Sequence, residues 1–546
     1  MAYDRHFAWR VALALGLAWM GVDFAQAQST ATATVAETSV VTTAPSASID
    51  AAALYQQHCA ACHGPHRTGL MGPALLPESL ARVRPAEAQS VIAKGRAATQ
   101  MMGFADKLSA AEIAALARWI YTPVVPAPSW SEADIRSSRV ETAGARELPA
   151  RPKWPADPMN LFVVVEGGDH HVSLVDGDRF ERIHRFASRY ALHGGPKFSA
   201  DGRYVVFGSR DGWVTKYDLW NLTVVAEVRA GLNTRNVAMS SDGQWVMVAN
   251  YLPHNLVLLD ADLNLVKVYD ATSRDGKRSS RVSAVYDAQP RRSFIVALKD
   301  VPELWEISYD PKAEDIYEGL VHDFRMGEGV PKKGFLGVRR TALAEPLDDF
   351  FFDQSYVHAL GAARPRDDGK PSGQVVNLDV RRSIATLPIA GMPHLGSGIT
   401  FAWKGTTVLA SPNLKDGTIT VVDMKDWSLV RTIAVPGPGF FMRSHEKTPY
   451  AWTDSMMSPA AKDTLTIIDK RTLEPVASVR EPGKTLAHIE FTKDGRHALA
   501  SLWETDGALI VYDAQTFKEV KRLPMSKPVG KYNVWNKITR SEGTSH

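Results

Sequence analysis

The sequence predicts an α plus all-β chain of two domains, a small helical domain followed by an eight-bladed β-propeller. Two observations predict it. Beyond residue 158 an alternating apolar strand ending on aspartate returns eight times. Upstream of residue 122, amphipathic helical spacing surrounds the run HCAACHG, His58 to Gly64, which holds Cys59 and Cys62, the only cysteines of the chain.

Taken in order, residues 1–27 carry Arg5 and Arg10, the apolar run VALALGLAWMGV and a small-x-small end at Ala25-Gln26-Ala27, which reads as a secretory signal peptide. The apolar run is too short for a membrane span, and no other long apolar segment follows, so the mature protein is expected to be soluble. Residues 28–48 are Ser, Thr, Ala and Val with few bulky side chains and are expected to form a flexible arm. The formal net charge of +3 is too small and too dispersed for a nucleic-acid binder.

Residues 49–122 form the helical domain. Two thiols separated by two residues and followed at once by an imidazole are the arrangement that attaches c-type haem covalently. Cys59 and Cys62 would carry the thioethers and His63 would ligate the iron, giving one haem c per chain. A zinc site would need further thiolates or imidazoles in a similar cluster, and none exists. A further iron ligand is expected downstream, where GRAATQMMGFADKLSAAEI, Gly95 to Ile113, offers Met101, with Met102 as the alternate. Its core resembles the M-x-x-F stretch before the last helix of class I cytochromes c, and Gly72-Pro73 and the amphipathic run from Ala110 to Tyr121 agree with that domain type. Covalent haem attachment belongs outside the cytoplasm, so a bacterial periplasm is expected. Residues 123–157, with PVVPAP and LPARPKWPADP, are too rich in proline to continue a helix and suit an extended linker.

Residues 158–546 carry the repeat. Strands VSLVD, VTKYD, LVLLD, WEISYD, QVVNLD, ITVVD, LTIID and LIVYD close at Asp176, Asp218, Asp260, Asp310, Asp379, Asp423, Asp469 and Asp513, at successive gaps of 42, 42, 50, 69, 44, 46 and 44 residues. Asp-Gly turns precede several of them, as in SADGRYVVFGS and TKDGRHALASL. A period in the forties with several strands per unit marks propeller blades, none of which buries its faces without neighbours. The long gap predicts an inserted loop around residues 319–347.

The stretches RYALHGGPKFSADGRYVVFGSRDGWVTKYDLW, MPHLGSGITF and GKYNVWN, together with a haem c domain ahead of eight blades, resemble the cytochrome cd1 family over nearly the whole mature chain. The resemblance implies a non-covalent haem d1, or its dihydro precursor, held in the propeller with His193 on the iron. Without it, His193 reads as an interior histidine. Within the family one activity is nitrite reduction to nitric oxide, for which two histidines are expected above d1. His394 matches one of them, but no histidine lies between His322 and His358 where the second belongs. The other activity desaturates a ring propionate of dihydro-haem d1 to an acrylate, and the tail KYNVWNKITRSEGTSH and the histidine of TLAHIEFTKDGR match that type. That resemblance implies His488 and Tyr532 as catalytic residues.

The chemistry suits these residues. Converting –CH2–CH2– to –CH=CH– removes two electrons and two protons. A conjugated macrocycle with haem c beyond it offers the electron outlet, and histidine, with an ordinary pKa near 6.5, offers a base. Burying the carboxylates of haem d1 calls for arginine forks, for which Arg189, Arg210 and Arg235 are candidates. Each alone would read as a surface arginine in a local ion pair. The expected partners are dihydro-haem d1, cytochrome cd1 nitrite reductase, other haem d1 assembly proteins and a periplasmic electron acceptor. A non-enzymatic haem d1 carrier is the alternative to both enzymes. His445 reads as a blade-turn residue, and the pair His170-His171 is too weak a metal cue to carry a site.

Overall fold

The computed structural model describes residues 49–546 except 81–82, 97–100, 145–146, 318–330, 364–370, 372, 541 and 544–546. The expected signal peptide and flexible arm lie outside the described residues. The helical domain packs the helices Ala51–His58, Pro85–Lys94 and Ala110–Trp119 around Tyr55, Ile92, Leu108, Ile113 and Leu116. Local sequence sets the helix starts. Asp50 accepts from Ala53 N, and Ser109 with Glu112 forms a reciprocal capping box ahead of the last helix.

The β-domain is a ring of eight antiparallel sheets. In each blade the repeated strand ending near aspartate is third from the centre, and the reason is local. Asp176 accepts from the main-chain N–H groups of Asp178 and Arg179, and Asp218 from those of Trp220 and Asn221. Asp513 does the same for Gln515 and Thr516. The aspartate therefore folds the turn into the outermost strand. In the fifth blade this role falls to Asn377, which accepts from Asp379 N and Val380 N, so the repeat sits two residues earlier than its aspartate indicates.

Blade 1 is closed by the chain's far end. The strand Pro528–Asn533 is its innermost member and pairs antiparallel with Leu161–Glu166, Val163 opposite Tyr532. Beyond it the helix Val534–Thr539 and the tail cross one end of the ring. Asn536 donates to Glu490 in blade 8, and Arg540 donates to Asp287 in blade 4 and Tyr356 in blade 5. Gly543 exchanges main-chain bonds with Thr400 and Ser444 in blades 6 and 7.

Two expectations change. The segment expected as an extended linker contains the helix Glu132–Ser138, started by a Ser131–Asp134 capping box, and Ile135 is buried in the core between blades 2 and 3. It continues into Val140–Glu141, which adds a fifth strand to blade 2. The stretch 319–347 is not all loop, because Val338–Ala342 is the outermost strand of blade 4, paired with Glu303–Ser308. The two domains meet where Ala74 and Leu76 pack against Leu232 and Leu252.

A chain ending at Met525 would leave Leu161–Glu166, buried along its whole length, without its inner neighbour. Such a truncation is expected to abolish the cooperative thermal transition of the propeller in calorimetry. A transition like that of the full chain would refute the closure.

Candidate functional site

The helical domain presents one set of groups. Cys59 ends the first helix and opens the turn Ala60–His63, so Cys59, Cys62 and His63 share one short turn, and both thiols are free. Burial and the neighbouring Cys62 push the Cys59 thiol up to about 11. His63 is 7% exposed, and burial lowers its pKa, favouring the neutral ring. Its Nδ1 donates to the Pro73 carbonyl at 2.8 Å, which fixes the tautomer and leaves Nε2 for a metal. A Cβ on residue 72 would come within 2.6 Å of the ring, so only glycine fits there. These residues suit a haem iron ligand flanked by two attachment thiols. Met101 is half-buried and Met102 is 59% exposed, which favours Met101 as the further ligand.

The second set gathers at the propeller centre. His193 lies in the connection into blade 2, where Gly194 and Gly195 take positive φ; a Cβ on Gly195 would meet the Tyr532 ring at 3.1 Å. His193 Nδ1 donates to the Arg235 carbonyl at 2.7 Å, and Arg235 Nη1 lies 3.1 and 3.2 Å from the two ring nitrogens. Burial first, then Arg210 and Arg235, hold the imidazole well below its ordinary value and hence neutral, the form that ligates iron. Arg210, between the second and third strands of blade 2, is pushed down to about 10 by burial and by Arg235. Neither arginine has a carboxylate within ion-pair distance among the described residues.

His394 precedes blade 6 and donates through Nδ1 to the Phe440 carbonyl at 2.9 Å. Its ring starts an aromatic chain. Phe440 is 4.0 Å away, Phe441 a further 4.7 Å, His488 4.5 Å beyond that, and Tyr532 5.3 Å from His488. The structure thus brings together His193, Arg210, Arg235, His394, His488 and Tyr532. His488 sits on the inner strand of blade 8 at a β-bulge between Ala487 and Ile489, with φ of +48°. Such a bulge re-aims a side chain, and a non-glycine residue at this φ is strained. Burial and the adjacent Lys531 hold its pKa well below the ordinary value. Burial pushes the Tyr532 hydroxyl up to about 12, so it stays protonated.

Arg189 does not join them. Its guanidinium forms a two-point ion pair with Glu227, at 3.0 and 2.5 Å, and stacks 3.9 Å over Trp213. His445 lies, as expected, in a blade turn, between the strands Met442–Arg443 and Tyr450–Asp454 of blade 7, where it is fully buried with Nδ1 accepting from Lys447 N. His170 lies edge-on to Tyr190, and no cluster of metal-ligating side chains occurs among the described residues.

Sequence reasoning missed four groups at the centre. Asp454, in blade 7, accepts from Phe440 N, Phe441 N, Met456 N and His488 N. Arg443 is 3% exposed with its Nε unpartnered among the described residues. Lys531 is fully buried beside His488, and burial and Arg443 push Lys537 down to about 7. The one available signal was the placing of Lys531 and Lys537 in the same stretch as Tyr532.

Comparisons with known proteins fit both sets. Residues 156–319 and 332–537 match the model of the cytochrome D1 heme domain, and residues 48–120 that of the cbb3-type cytochrome c oxidase subunit III. A dihydro-heme d1 dehydrogenase of Pseudomonas aeruginosa is 55% identical over 90% of this chain and 95% of its own. A nitrite reductase of Stutzerimonas stutzeri is 26% identical over 88% of this chain and 92% of its own. A solved structure described as the dihydro-heme d1 dehydrogenase NirN in complex with DHE superposes with a TM-score of 0.75 at 55% identity, covering 89% of this chain and 99% of that one. With the D1 heme domain matched over more than half its length and a relative of this identity across nine tenths of it, the chain belongs to the cytochrome cd1 family, on its dihydro-haem d1 dehydrogenase branch.

Proposed function

We propose that the protein oxidises a ring propionate of dihydro-haem d1 to an acrylate, the last step of haem d1 biosynthesis, in the periplasm. The observation that carries this reading is the pairing of His488 with Tyr532 at the propeller centre, 5.3 Å between rings, with His488 turned inward by a strained bulge. His193 Nε2 would hold the substrate iron. Arg210 and Arg235, without an ion-paired carboxylate among the described residues, would take up its carboxylates. The orphaned Nε of Arg443 supports the same expectation of a buried anion.

His488 would accept a proton from the propionate arm, and Tyr532, protonated at neutral pH, would position the arm's carboxylate or relay a proton. Haem c, attached through Cys59 and Cys62 and ligated by His63 and Met101, supplies a one-electron outlet when bound. The contact of Ala74 and Leu76 with Leu232 and Leu252 supports such a transfer by bringing the helical domain against the propeller. Delivery of the product to cytochrome cd1 nitrite reductase, contact with other d1 assembly proteins and a periplasmic electron acceptor complete the reading. Among the described residues no helix is long and apolar enough to cross a membrane.

Three measurements test it. Replacing both Cys59 and Cys62 by serine should abolish the covalent pyridine haemochrome spectrum, and an unchanged spectrum would sink the haem c site. His193→Ala should weaken dihydro-haem d1 binding while leaving the haem c bands in place, so d1-region spectra like those of wild type would remove His193 from the iron. His488→Ala should still bind dihydro-haem d1 yet lose on the order of 10²–10⁴-fold in acrylate formation followed by absorbance and mass, with His394→Ala losing less. Rapid nitrite turnover that needs His394 and not His488 would make this protein a nitrite reductase instead.

A further inference from the structure

Lys531 is the one fully buried lysine of the central site, on the strand that closes blade 1. Its Nζ touches three atoms: the His488 carbonyl oxygen, Ser501 Oγ at 2.9 Å and His488 Nδ1 at 3.3 Å. It forms no ion pair among the described residues. The two acids that act on it electrostatically do not bond to it: Glu490 Oε1 accepts from Asn536 and from the Phe491 N–H while its Oε2 is buried without a partner among the described residues, and Asp454 takes its four N–H groups.

The contacts admit two protonation patterns. An ammonium has three N–H bonds for three acceptors, so Nδ1 must accept and the ring proton of neutral His488 sits on Nε2. That imidazole donates but cannot act as a base. An amine places two N–H bonds on the two oxygens and turns its lone pair to Nδ1–H, which leaves Nε2 unprotonated. We propose that Lys531 works as this neutral amine, fixing His488 in the tautomer whose Nε2 is the base and then taking the proton from Nδ1. Lys531 is thus a positioning residue for the reaction, and its role rests on the reading of His488 as base.

Burial supports the amine by holding Lys531 well below the usual lysine range, with Arg443 acting the same way and Glu490 and Asp454 opposing. The pair is faced by Arg443 and Asp454 from blade 7, Glu490 from the strand of His488, Tyr532 from the closing strand and Lys537 from the last helix. The step balances. A substrate C–H bond breaks as Nε2–H forms, Nδ1–H breaks as the third N–H of Lys531 forms, and the electron pair of the broken C–H bond stays delocalised in the substrate's conjugated ring. The resulting ammonium finds an acceptor for each of its three N–H bonds among the atoms it already touches.

The test uses the full chain carrying haem c. In the wild-type rate against pH, the acid limb would report protonation of the amine. Lys531→Met should bind dihydro-haem d1 with unchanged affinity and convert it roughly 10²-fold more slowly. Its acid limb should move to lower pH, where it reports His488 alone. Ser501→Ala, which removes one acceptor of the ammonium, should move the limb the same way with the plateau rate nearly kept, and serves if Lys531→Met does not fold. A limb that stays put in both variants would leave Lys531 a purely structural residue and overturn the proposal. The ¹⁵N spectrum of histidine-labelled, reduced protein, with His488 assigned by the signal missing in His488→Gln, needs no substrate. A protonated Nδ1 and bare Nε2 at neutral pH are expected, and the opposite tautomer would refute the proposal even if conversion is observed. Absence of conversion by wild type with the expected tautomer would remove the dehydrogenase reading alone.

Discussion

One carboxylate, Asp454, holds the chemistry in place. It receives main-chain N–H groups from the Phe440-Phe441 turn, from Met456 and from the bulged His488, joining blade 7 to blade 8 at a point where the backbone leaves its regular ladder. A bulge exposes main-chain donors that the sheet no longer satisfies, and in a buried centre each would cost about 1–3 kcal/mol if left unpaired. The four bonds offset the desolvation of the carboxylate, yet burial still pushes it up to about 6. The folded form therefore takes up a proton as pH falls through about 6, while the unfolded chain waits until its ordinary value near 3.8, and over that interval this group adds stability on acidification.

Around that clamp the centre carries more positive charge than it neutralises. Arg540 and Lys299 have acidic partners in Asp287 and Asp348, whereas Arg210, Arg235 and Arg443 form no ion pair among the described residues. Desolvation beside like charges lowers the proton affinity of Lys197, to about 8, and of Arg210, whereas Tyr251 and Asp349 raise that of Arg235 despite its burial. Such an interior is tense by itself and gains from a ligand bearing several carboxylates.

What the sequence disclosed and withheld follows from range. The propeller was legible because each blade repeats a turn whose main-chain donors need a side-chain acceptor, and its two slips, Ser308 for Asp310 and Asn377 for Asp379, come from other side-chain oxygens meeting the same need. HCAACHG was legible because attachment demands a fixed local spacing. The strand Val338–Ala342 was hidden because it follows a long excursion that breaks the period. Arg189 looked available because its partner Glu227 lies four strands further on. His193, His488 and Tyr532 entered only through a family resemblance. Lys531 gave only its place beside Tyr532, since a lysine in a short strand ordinarily points to water, and Asp454 gave no cue, since an aspartate ending a strand ordinarily folds a turn.

The strand Pro528–Asn533 follows all eight repeats in chain order yet lies nearest the axis, and the tail behind it reaches blades 4 to 8. Blade 1 is therefore opened by an early strand and completed by the last one. The HCAACHG turn and the core around it are complete early, while the second site waits for residues made after every blade that surrounds it. Tyr532, Lys531 and Lys537 all arrive on that final segment, so a chain interrupted before it keeps the first site and has none of these three groups. A reactive centre therefore cannot exist until the strand that closes blade 1 is in place.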